Sequence, residues 1–96
     1  MRKYLWQGVT ARGYLAYEGK HQGSYLIRHL YIQREDEAPL SVDHMWIQLG
    51  SIGRQFLRQK VIIIGEVTYY QRTDGSYSYT IIPTQIERAG GTKETV

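Results

Sequence analysis

Through residues 24–33 (SYLIRHLYIQ) and 42–49 (VDHMWIQL), Tyr25, His29 and Tyr31, and then His44 and Trp46, fall at even spacings along the chain. Successive side chains of an extended strand point to opposite sides, so Tyr25, Ile27, His29 and Tyr31 share one side of the first segment, against Leu26, Leu30 and Ile32. In the second segment His44, Trp46 and Gln48 oppose Met45, Ile47 and Leu49. Antiparallel pairing of the two segments predicts a surface of tyrosine, histidine and tryptophan backed by aliphatic residues, which is costly to leave in water. Every nucleobase has a π-face, so exposed rings flanked by cations form a sequence-tolerant platform for single strands, worth ~1–3 kcal/mol per stacked base. Arg28 falls on the aliphatic side of this assignment, which signals a bulge or a slip of register nearby. In the reversed phase the outer side becomes Leu26, Arg28, Leu30 and Ile32, a surface better suited to a protein partner.

Other chemistries find less support. His29 and His44 are candidate neighbours across two strands, and His21 lies on a loop, but a third close metal ligand is not visible, so no metal is expected. Glu35, Asp36 and Glu37 are contiguous, whereas an acid and base pair needs separated, differently buried carboxylates. Ser24, Ser41 and Ser51 lack a nucleophile context, and GSIGR and GEVTYY lack the spacing of a phosphate loop. The absence of cysteine excludes disulfides, thiolate zinc sites and cysteine nucleophiles. A non-enzymatic protein without a cofactor is expected.

A chain of 96 residues, 42% hydrophobic and with two prolines, is long enough for one domain and apolar enough to bury a core. Its net charge of +3 is unevenly distributed: residues 1–34 carry +5, and residues 35–96 carry −2. A field concentrated on one part of a small protein steers polyanions even when total charge is modest. The first fifteen residues, MRKYLWQGVTARGYL, hold no apolar run of signal-peptide length, and no window approaches the ~20 apolar residues of a membrane span. With the lack of cysteine, this predicts a cytoplasmic protein that does not engage membranes.

Nine tyrosines and ten isoleucines favour strands over helices. Residues 8–18 read as a long strand bent or bulged at Gly13, followed by a loop holding Lys20 and His21, a strand over 24–33, an acidic loop over 34–41 and a strand over 42–49. Within residues 50–59, Ile52, Phe56 and Leu57 are spaced for one short helix, with Ser51 as a candidate cap and Gly53 weakening it. Residues 60–70 form a largely buried strand. Asp74 and Gly75 make a hairpin turn, and a last strand over 77–87 must accommodate Pro83 at an edge or interruption. A single domain over 1–88 and a flexible tail over 89–96 are expected.

Three strands, one short helix and a two-stranded hairpin is the order of an OB-fold, a five-stranded, partly open barrel with a helix between strands three and four. Over residues 7–88 the chain resembles single-stranded DNA-binding OB domains, through its long glycine-broken first strand, LGSIGRQFL, and KVIIIGEVTYYQRTDGSYSYTI. The resemblance implies a platform of Tyr25, Tyr31 and Trp46. It implies flanking loops that supply Lys20, His21 and Arg72, with Tyr70 and Tyr77 at the base of the last hairpin. Arg12 and Tyr14 lie on the non-core phase of strand one and extend the groove, and His29 and His44 lie beside the rings. The implied function is non-catalytic binding of single-stranded DNA, or RNA, in replication, recombination or repair, with self-association as a way to raise weak affinity. The alternative is a small accessory subunit that docks on a polymerase, primase or helicase.

Overall fold

The computed structural model describes residues 1–90 and the backbone of 93–95. The fold is all-β: β1 (Gly8–Glu18), β2 (Ser24–Gln33), β3 (Leu40–Gln48), β4 (Lys60–Gln71), β5 (Tyr77–Arg88) and a short β6 (Lys93–Thr95). One antiparallel sheet runs in the order β3-β2-β1-β4-β5-β6. The connection between β3 and β4 is a 3-10 turn, Gly50–Phe56, rather than an α-helix, and Ser51 does not cap it. β6 lies within the stretch expected to be a flexible tail, where its backbone pairs with Gln85–Glu87; residues 91, 92 and 96 of that stretch lie outside the described residues.

The strand order is compatible with an OB-like fold, but the sheet does not close. β3 and β5 carry no ladder of backbone bonds between them and touch where the Thr80 hydroxyl donates to the Trp46 carbonyl at 2.6 Å. The all-β, five-stranded arrangement of β1 to β5 is as expected, and the barrel is realised only loosely, as a sheet curled until β3 approaches β5 without closing.

Bulges give the sheet its curl. Between the Arg12–Tyr31 and Tyr14–Arg28 pairs β2 holds one residue more than β1, and His29 there adopts a left-handed φ of 54°. The extra residue reverses the phase of β2, so Tyr25 and Ile27 point inward before it and Leu30 and Ile32 after it. β3 changes phase with its partner in unbroken register: Met45 and Ile47 are buried, Asp43 and His44 are both exposed, and Val42 and Leu40 pack on the core. The outward placement of Tyr25 and Ile27 read from simple alternation is thus corrected, since both are fully buried. A second bulge near Ala16 returns β1 and β2 to register, and a third, beside Pro83, leaves Thr84 as the extra residue while Pro83 itself lies opposite Gly65.

The core gathers Leu15, Tyr25, Ile27, Ile47 and Phe56 with Ile63 and Ile81, all essentially without exposure. The 3-10 turn closes one end. Phe56 inserts into the core, and Gly53 lies flat on the Tyr25 ring, where an added Cβ would collide with ring carbons. Gly53→Ala is expected to destabilise the domain by ~1–3 kcal/mol through overpacking against a ring that cannot retreat. Urea denaturation checks this, and an unchanged midpoint would show that the turn can shift.

Candidate nucleic-acid interface

The β1–β2 loop and the β4–β5 hairpin rise on either side of β3 and bound an open groove of ≈ 1040 Å³. Each wall has a local cause. The β1–β2 loop is tied down by the Gly23 amide donating to Glu18 Oε2 (3.1 Å), the Gly19 amide to the Ser24 carbonyl (2.7 Å) and the Leu49 amide to the Gly23 carbonyl (2.7 Å). The hairpin tip is closed by the Arg72 amide on the Ser76 carbonyl (2.7 Å), with Gly75 supplying the required positive φ. Asp74 Oδ1 accepts from the Ser76 amide (2.9 Å) and hydroxyl (2.6 Å).

These bonds, led by the Ser76 hydroxyl, hold the Asp74 carboxyl below the usual carboxylate range. A pKa lower in the folded than in the unfolded chain stabilises the turn above the usual range and ceases to do so as pH falls through the lowered value. The Ser76 amide resonance should therefore titrate with a midpoint below that of an ordinary aspartate, about 3.9. A midpoint at or above that value contradicts the turn geometry.

The floor of the groove is aromatic. Trp46, on the outer phase of β3, lies against Gly19, where a Cβ would come within 2.6 Å of its ring. Tyr17 meets the Trp46 ring edge-on, with centroids 5.9 Å apart and planes at 77°. The Arg28 guanidinium stands 5.8 Å from the Tyr17 centroid, within cation–π range. Tyr70 and Tyr79 line the hairpin side, and Gln48 reaches the Gln22 carbonyl at 3.2 Å. Lys20 and His21 stand on one wall and Arg72 on the other. Among the described residues Lys20, Arg28 and Arg72 form no ion pair.

A smaller depression of ≈ 270 Å³ adjoins the groove and shares Tyr17, His44 and Trp46 with it. The bulge turns Arg28 and His29 outward together, so both line it, along with Leu26 and Asp43. His44 Nδ1 lies 2.9 Å from Asp43 Oδ2, and this hydrogen bond holds the Asp43 carboxyl below its ordinary range. Among the described residues no group of three histidine or carboxylate side chains is arranged to hold a metal.

The residues expected to act together are thus divided. Lys20, His21, His44, Trp46, Tyr70 and Arg72 share the groove, and His29 lies in the adjoining depression. Tyr25 is buried, its phenol pushed up by burial and by the neighbouring Glu18 carboxylate, so it offers no face to a ligand. Arg12 and Tyr31 pair across β1 and β2, Tyr14 pairs with Arg28, and all three are exposed outside the groove lining. Tyr77 turns to the other side of the hairpin and stacks on Tyr69. Tyr17, Arg28, Gln48 and Tyr79 join the groove or its depression without having been singled out from the sequence as binding residues. The bulge near Ala16 puts Tyr17 on the outer phase, and the bulge at His29 does the same for Arg28.

Among the described residues no helix is long and apolar enough to cross a membrane. Compared with protein-family models, with curated proteins and with solved structures, the chain matches none.

Proposed function

We propose that this protein binds single-stranded nucleic acid without catalysis, in the groove between the β1–β2 loop and the β4–β5 hairpin. The observation that carries the reading is the convergence of Trp46, Tyr17 and Tyr70 with Lys20 and Arg72 in one open cleft. Rings supply stacking faces that tolerate any base, and unpaired cations on both walls neutralise the backbone that follows them. An open cleft admits a chain from either end, which a closed pocket for a small molecule does not. Duplex is disfavoured, because its bases are already stacked on one another and present no free face to the floor.

Fluorescence anisotropy with labelled single-stranded DNA, single-stranded RNA and duplex, each at two salt concentrations, tests the reading. Salt-sensitive binding of a single strand, stronger than that of duplex, is the expected result. No anisotropy change with any single strand at low salt would remove the proposal. A preference for DNA over RNA would place the protein with replication, recombination or repair.

A further inference from the structure

Three of the exposed rings outside the groove lie together. Trp6, Tyr69 and Tyr77 are 56%, 48% and 63% exposed, and they form a continuous edge-to-face ladder. Trp6 and Tyr69 have centroids 6.1 Å apart, and Tyr69 and Tyr77 5.5 Å apart. The ladder is held by a fixed frame. Trp6 adopts a left-handed φ of 64°, its amide donates to the Val67 carbonyl at 2.8 Å, and the Val67 amide donates to the Gln7 carbonyl at 3.0 Å.

We propose that this ladder is a second stacking surface, engaged when a single strand lying in the groove continues around the β4–β5 hairpin. The proposal rests on the reading of the groove given above. Its occupant follows from continuity: Tyr70 and Ser78 are cross-strand partners that line the groove, while the adjacent Tyr69 and Tyr77 form the ladder. One two-stranded hairpin thus presents rings on both sides, with Arg72 at the tip between them. Charge agrees with a polyanion as the occupant. The N-terminal segment that carries Trp6 also carries exposed Arg2 and Lys3, and among the described residues neither forms an ion pair.

The two tryptophans of the chain lie one in each surface, so their indole N–H resonances report the two surfaces separately in the wild-type protein. A Trp6→Phe variant serves only to assign the two signals. A thymidine oligonucleotide of about five residues, near the short end of single-fold site sizes, is expected to move the Trp46 signal and leave that of Trp6. One of about fifteen residues is expected to move both. If the long strand moves Trp46 alone, or the short strand moves both, the continuous path is wrong while the groove stands. If neither strand moves either signal, the groove reading and the ladder fall together. A Trp6 signal that moves on dilution of the protein alone, and not with the long strand, assigns the ladder to a second copy of the chain.

Discussion

Replacing Trp46 by alanine should weaken binding of a single-stranded oligonucleotide by a factor of roughly 5 to 150, the equivalent of one lost stack worth ~1–3 kcal/mol. The ring forms the middle of the groove floor, between Gly19 and the edge of Tyr17, so its removal takes away the widest stacking face and a contact that orients Tyr17. Trp46→Phe keeps a π-face and should recover most of the loss. The salt dependence separates this role from that of the cations. Log affinity falls with log salt in proportion to the phosphates neutralised, so Trp46→Ala should leave the slope unchanged, while Lys20→Ala and Arg72→Ala should each reduce it by about one. Equal affinity of the wild type and the Trp46→Ala variant, at matched salt and with the fold intact, would falsify the stacking role.

Tyr25→Ala is expected to destabilise the domain by ~3–5 kcal/mol, a large part of the whole stability of a chain this size. Its ring is fully buried between the sheet and Gly53, so its removal opens a cavity in the core. Tyr25→Phe should be nearly neutral for both stability and binding, because the Tyr25 hydroxyl is buried without a hydrogen-bond partner. The pair of variants distinguishes a core ring from a stacking ring. A stacking role predicts that Tyr25→Ala stays folded and binds weakly; a core role predicts that thermal unfolding reveals the loss before any binding measurement. A stable, binding-deficient Tyr25→Ala protein would overturn the burial described here.

The regular parts of the fold were legible because they depend on local chemistry. β-branched and aromatic runs marked β1, β2, β4 and β5 to within a residue at each end, and Asp74–Gly75 marked the tight turn between the last two. The 3-10 turn was legible as a break in strand pattern but not in type, since Gly53 disfavours an α-helix only weakly and the Tyr25 ring beneath it decides the path. β6 had no readable signal. Its three residues are held by pairing with β5, which is a long-range partner rather than a local preference.

The candidate site was legible where it stands on loops and obscure where it stands on strands. Lys20, His21 and Arg72 follow from the positions of two turns, and those positions were clear. Trp46 holds its expected outward phase because β3 is regular from Met45 to Gln48. Tyr25 and Tyr17 were misplaced or missed because one residue of bulge reverses every later side chain of a strand. The anomalous inward phase of Arg28 was the trace of that reversal in the sequence, and the left-handed His29 beside it is its structural cause.

The amino-acid order alone determined that the chain forms strands, where they turn, and that its first third is basic, since backbone preference and charge belong to each residue separately. Which rings meet water was decided only by tertiary structure. Inward or outward facing depends on register, register depends on bulges, and bulges are selected by how two distant strands best bury their apolar sides against each other.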